Sequence, residues 1–241
     1  MLRRQKRYAW APFGRPADYG SYGVTKRLEK IDQALPLIGM RLLDLGCGNG
    51  SYTVELSRRA AWTCGLDVQF HLMKSVPAAI PRVQGTGERL PFKDQSFDCI
   101  TLIEVLEHTR SDSTVLVECH RALKSGGKLV LFVPNKLYPL ESHPSHLGGL
   151  TLTTNLPFVS WLPGFLHDRI SSARIYSRRR IMAMARAAGF EVSKVGYIFP
   201  PLDSFPLPFK HTYRQLTRRL EDTPLRILGI SIFLVLTKPR D

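Results

Sequence analysis

Asp44, Gly46, Gly48 and Gly50 fall on alternate residues directly behind the apolar positions Leu42, Leu43 and Leu45. Glycine in that setting does chemistry through its backbone: without a side chain the main chain can approach a ligand closely, and a positive φ costs little. Asp44 can order such a loop or accept hydrogen bonds from a bound cation. A second acidic residue, Asp67, lies about 20 residues further on, the distance at which a carboxylate can accept hydrogen bonds from both hydroxyls of a ribose. A third group, Glu104, Glu107 and His108, with His143 or His146 beyond it, offers acid–base or metal-ligating side chains. The glycine spacing differs from the G-x-G-x-x-G of dinucleotide-binding enzymes, since position 51 is Ser51, which disfavours a nicotinamide enzyme.

These residues need a parallel sheet to bring them together. Leu42–Leu45 reads as a buried strand turned by the glycines into a helix from Ser51, and Trp62–Val68 as a second strand ending at Asp67. Val83–Gly85 and Cys99–Ile103 follow, with Glu104 to His108 at the carboxyl end of the fourth strand, where open α/β sheets bind ligands. Val115, Leu116, Cys119, Ala122 and Leu123 form a helical stripe, and Ser125-Gly126-Gly127 is expected to cap its end before the strand Lys128–Val133. That strand leads to Asn135, which either contacts substrate or orders its loop. Upstream, Thr25–Leu35 reads as a helix stopped by Pro36. Downstream, Ser177 caps a helix with Arg178, Arg179 and Arg180 on its solvated face, and Phe190–Phe199 and Gly229–Thr237 read as the last two strands.

With these elements in place the chain resembles the class I S-adenosylmethionine (SAM) dependent methyltransferases, most closely the ubiquinone/menaquinone-type (methyltransferase type 11) group. Asp44-x-Gly46-x-Gly48-x-Gly50 looks like that family's first motif, and Thr86 to Asp98 resembles its loop after the third strand. The resemblance implies an α/β fold: a Rossmann-like seven-stranded methyltransferase sheet with helices on both faces, the last strand antiparallel, plus a cap insertion. It implies S-adenosyl-L-methionine as cofactor, with Asp44, Gly46, Cys47 and Gly48 on the methionine side. Asp67 is then expected on the ribose, Val68 against the adenine, Thr86, Gly87 and Glu88 at the adenine edge, and Glu104 beside them. Family members commonly carry Asp-Ala where this chain has Thr86-Gly87, so a hydroxyl or backbone group replaces an acidic contact. Glu104, Glu107 and His108 also resemble the metal-binding signature of small-RNA 2′-O-methyltransferases and some ubiquinone-pathway O-methyltransferases. The same string is widespread in methyltransferases without a known metal, so no metal is assigned, and His108 and His143 are candidate acceptor-side catalytic groups, His143 being either a base or acceptor-orienting group or a histidine satisfied by loop carbonyls.

The 241 residues, 44% hydrophobic, suffice for one domain with elaborations. The elaborations are an N-terminal arm (1–23), a cap insertion (136–176) and a basic aromatic connection (200–228). Lys and Arg total 34 against 20 acidic residues, a net charge of +14, which favours anionic partners without choosing among them. Cys47, Cys64, Cys99 and Cys119 lack metal-ligand spacing and suit a reduced, cytoplasmic compartment. The apolar run Ile227 to Leu236 is too short for a membrane helix of roughly 20 residues. In Lys210–Leu220, Tyr213, Leu216 and Leu220 oppose basic residues, as either a helix packed on its own domain or an interfacial one. The expected function is methyl transfer to a small-molecule or lipid-linked acceptor, with peripheral membrane contact weighed. RNA methylation and a non-catalytic SAM-binding adaptor are the alternatives.

Overall fold

The structure is a computed structural model and describes residues 20–141, 143–147, 150–152, 155–200 and 209–240. The arm as far as Tyr19, and Phe205 to Pro208 of the basic connection, lie outside the described residues. Seven strands make one sheet: β1 (Arg41–Leu45), β2 (Trp62–Asp67), β3 (Arg82–Gln84), β4 (Phe97–Ile103), β5 (Leu123–Pro134), β10 (Glu191–Ile198) and β11 (Ser231–Thr237). Their order is β10-β11-β5-β4-β1-β2-β3. The five strands from β5 to β3 are parallel, while β11 runs antiparallel to both its neighbours, β5 and β10. The sheet is the expected one.

Alternation along the strands explains the two layers of helices. On β1, Leu42 packs with Leu28, Ile31 and Leu56, whereas Leu43 and Leu45 pack on the opposite side with Val115 and Ile181. Both faces of a central parallel strand must be apolar, because helices cover both. Helices α1 (Gly20–Asp32) and α2 (Ser51–Ser57) supply the first layer, and α3 (Asp112–Ala122) and α5 (Arg178–Ala187) the second. Ser111 and Ser177 accept the backbone N–H of Thr114 and Arg180, so each caps its helix by the expected chemistry.

Two boundaries differ from expectation. Residues 20–23, assigned to the arm, belong to the start of α1, whose buried face extends to Arg27, Leu28 and Ile31. The glycines after α3 do not cap it: Leu123 already has extended backbone, and Gly126 and Gly127 lie inside β5. The β4–β5 pairing jumps from Phe97↔Leu123 to Cys99↔Lys128. Gly126 takes φ +79° there and donates its N–H to the Lys238 carbonyl, so the pair serves an irregularity in the strand, where a side chain would be strained.

Between β5 and α5 the chain forms two small ribbons, β6 (Leu140–Glu141) with β9 (Leu156–Pro157) and β7 (Ser145–Leu147) with β8 (Leu150–Leu152), followed by the short helix α4 (Gly164–Ile170). Helix α6 (Lys210–Leu220) lies where its periodicity places it. Thr217 is buried and Tyr213 half-buried on its inner side, but Leu216 is 53% exposed, so that residue belongs to the outer face and not to the packed stripe.

Candidate active site

The order β2-β1-β4 reverses the direction of winding between β1 and β4, and the crevice beyond the carboxyl ends of those strands is where such sheets bind ligands. A cavity of about 580 Å³ opens there. Its wall contains Gly46, Cys47, Gly48, Asp67, Val68, Thr86, Gly87, Glu88, Glu104 and His108, which come from four separate stretches of sequence. That volume lies in the ordinary range for a ligand pocket, roughly 300–1,000 Å³.

Glycine is required in the loop by conformation and by space. Gly46 has φ +78°, and a Cβ there would lie 2.3 Å from a methyl of Val105; at Gly50, φ +84°, it would lie 2.3 Å from a methyl of Val76. The loop is held from β2: Asp67 accepts the N–H of Gly48 through Oδ2 and that of Gln69 through Oδ1, each at 2.8 Å. A carboxylate has further lone pairs, so Asp67 retains acceptor capacity toward the cavity it lines. Asp44 does not line the cavity. It is buried behind the loop, where Thr53 and Thr101 donate their hydroxyls to it at 2.7 and 2.8 Å, and burial raises its pKa against those two bonds. Its observed role is to tie β1 to α2 and β4. Cys47 lines the cavity as a thiol, its pKa pushed up by burial and by the nearby Asp44 and Asp67.

Glu88 accepts the backbone N–H of Arg110 at 2.7 Å and thereby fastens the adenine-side loop to the segment after β4. Glu104 sits at φ +56°, strained for a residue with a side chain. Its carboxylate accepts from the buried Arg27 guanidinium at 2.9 Å and from the Ser231 hydroxyl, which links α1 and β11 to the cavity wall. Arg27 was not singled out in the sequence; an arginine within an apolar helical stripe is the only signal it gives.

At the other end of the site Glu107, His108 and His143 converge, each offering one ligand atom within 4.8 Å of the others. Glu104 is not in that group, and of His146 only the backbone is described. Glu107 is fully buried, neither of its carboxylate oxygens has a hydrogen-bond partner among the described residues, and burial raises its pKa well above the ordinary value. His108 is pushed down to about 3 by burial and by the nearby His143 and Arg174, so it stays neutral. His143 reaches this end from the cap. Arg174, where the cap returns, donates to the carbonyls of Thr109 at 2.6 Å and Arg110 at 3.0 Å and so anchors the cap on the same segment. Asn135 is buried with its amide committed to the carbonyls of Ile227 and Gly229, so it orders the loop.

Known proteins resemble this arrangement. Residues 43–131 match the family described as "Methyltransferase domain". The ubiquinone biosynthesis O-methyltransferase of Dechloromonas aromatica is 33% identical over 121 residues, covering 46% of this chain and 51% of that protein. The protein of the same name from Pseudomonas entomophila is 27% identical over 188 residues, covering 73% and 75%. The chain thus spans about half the length of the first curated relatives it matches. A SAM-dependent methyltransferase from Mesorhizobium loti superposes with a TM-score of 0.64 at 17% identity over 90% of this chain and all of that one, a likeness of fold. Residues 43–131 are therefore similar to methyltransferase domains, and the chain carries the fold of the class I SAM-dependent methyltransferases.

Proposed function

We propose that the chain transfers the methyl group of SAM to a small-molecule or lipid-linked acceptor. The observation that carries this reading is one cavity whose wall joins the glycine loop and Asp67 to His108, beside which the cap sets His143. The residues present fit the cofactor: cavity-lining glycines at positive φ at positions 46 and 48, a carboxylate at the second strand end, and a small adenine edge at Thr86 and Gly87. SAM, when bound, supplies a methyl group already activated as a sulfonium. The protein's task is to align the acceptor, exclude water and hold the acceptor's proton where one must leave. His143 is the group suited to that proton. His108, neutral and weakly basic, offers a lone pair instead. The cap at 136–176 is the acceptor-selecting part.

A second reading concerns the acceptor end. A divalent cation there would be held by Glu107, His108 and His143 and would polarise an acceptor oxygen, and the two unpartnered, buried oxygens of Glu107 favour it. Metal analysis of protein purified without chelator, and turnover with and without chelator, decide it.

The lipid-linked form of the acceptor is supported by an exposed strip in which Leu216, Leu225 and Ile227 alternate with Arg219 and Arg226, as an interfacial surface requires. No helix among the described residues is long and apolar enough to cross a membrane. The test is transfer of radiolabelled methyl from SAM into extract of the source cells. Enzyme-dependent label in the organic phase is the expected result; aqueous label destroyed by ribonuclease would establish the RNA alternative instead.

A further inference from the structure

Within the cap a chain of polar side chains is buried with no part in the cofactor site. Glu141, 1% exposed, accepts the backbone N–H of His143 at 3.0 Å through Oε1, and the same oxygen lies 3.1 Å from His143 Nδ1. Its other oxygen lies 2.6 Å from Nε2 of His167, which is fully buried, and Nδ1 of His167 faces Asp168 at 3.5 Å. These residues come from β6 and α4, 26 positions apart. Burying a carboxylate is costly unless it is paired and hydrogen-bonded. Both oxygens of Glu141 are committed to histidines, Oε1 to His143 and Oε2 to His167.

We propose that Glu141, held in turn by His167, is a positioning residue that fixes His143 as the Nδ1–H tautomer and presents its Nε2 lone pair to the acceptor end of the site. The proposal rests on the reading of His143 as an acceptor-side group, but its geometric content stands without that reading. Oε1 of Glu141 already accepts the main-chain N–H of His143, so in the second contact with the same oxygen Nδ1 is the donor and carries the proton, which leaves Nε2 as the acceptor. Glu141 also holds the main chain at His143, so ring and backbone are fixed by one group. His167 takes the second carboxylate oxygen and stops Glu141 from turning away. Burial works against charge on His167, but Asp168 and Glu141 together raise its pKa, and the two histidines draw Glu141 down to about 2 despite burial. Each shift favours the charged form of its group, the arrangement that strengthens a hydrogen bond.

The test uses long-range proton–nitrogen correlation spectra of the full chain labelled with ¹⁵N-histidine, which report the tautomer without an acceptor substrate. His143 is expected as Nδ1–H in the native protein and in Glu141→Gln, whose amide carbonyl still accepts. In Glu141→Met combined with His167→Leu, which removes the carboxylate together with the histidine that holds it, His143 is expected to lose that preference. S-adenosylhomocysteine affinity is expected to stay within about twofold in both variants, since neither residue lines the cofactor cavity. An Nε2–H tautomer in the native protein, or Nδ1–H retained in the folded double variant, would overturn the proposal. Should the double variant not fold, the native and Gln spectra still decide, because loss of the tautomer in Gln contradicts the role given to the carbonyl. Failure of the native protein to bind S-adenosylhomocysteine would sink the methyltransferase reading while leaving the tautomer result intact.

Discussion

The two ends of the site are built by different means. The cofactor end is made of backbone: glycines at positive φ, N–H groups pinned by Asp67, and a short loop tied by Glu88. Each part sits within a few residues of a strand end, so the sheet places them all at once. At the other end Glu107 and His108 follow β4 while His143 arrives from the 136–176 interval, held by contacts such as Glu141 to His167 that no local pattern announces. The difference teaches that one end is set by local backbone geometry, whereas the other depends on polar pairs between residues far apart in sequence.

The contrast can be broken most sharply at His143. His143→Ala is expected to lower kcat by about 10²- to 10⁴-fold, the usual contribution of a general acid or base, while S-adenosylhomocysteine binding is unchanged. A parallel loss of cofactor affinity would show that the two ends are not separable. Next in size is Arg27→Met, which strands the half-buried Glu104 charge: truncating one partner of a buried ion pair costs about 3–5 kcal/mol, read as a lowered Tm. An unchanged Tm would mean that the link from α1 to the cavity wall carries no weight. Gly46→Ala brings a Cβ onto Val105 at a positive φ and is expected to weaken cofactor binding, with partial recovery in Gly46→Ala/Val105→Ala because only the steric part is relieved. Full recovery would show that conformation is irrelevant there.

The smallest effect is on pH. Glu141 has its pKa depressed from 4.5 to about 2, so its stabilisation is present above pH 4.5 and is lost as pH falls toward 2. His167 has its pKa raised from 6.5, so its share is present below pH 6.5 and is lost as pH rises through the folded value. The Tm gap between the native protein and Glu141→Met/His167→Leu is therefore expected to be widest between about pH 4.5 and 6.5, and a gap independent of pH would contradict the ionised pairing.

The same division governs what the sequence made legible. The period-2 and period-3.6 patterns, the glycine loop and Asp67 are local, and they located the sheet, the helices and one wall of the cavity. Asp44 was expected on the methionine side, yet Thr53 and Thr101 hold its carboxylate behind the loop, and only the β1–β4 register shows that Thr101 stands beside it. Gly126 and Gly127 resembled a helix cap because a strand irregularity asks for the same residue. His143 was legible as a histidine near the chemical end, but its partners Glu141 and His167 were only polar residues in a long interval. For α6 the stripe left packing and an interfacial surface both open, and the exposure of Leu216 beside a buried Thr217 shows where the packed edge falls.

The central claim is that the crevice at the ends of β1, β2 and β4 is a SAM site, and equilibrium titration of the purified chain with S-adenosylhomocysteine tests it most directly. Saturable one-to-one binding, weakened about 10- to 100-fold in Asp67→Ala, is the expected result, since a hydrogen bond to a charged group is worth about 1.5–3 kcal/mol. No binding to the native chain, or equal affinity in Asp67→Ala, would contradict the account.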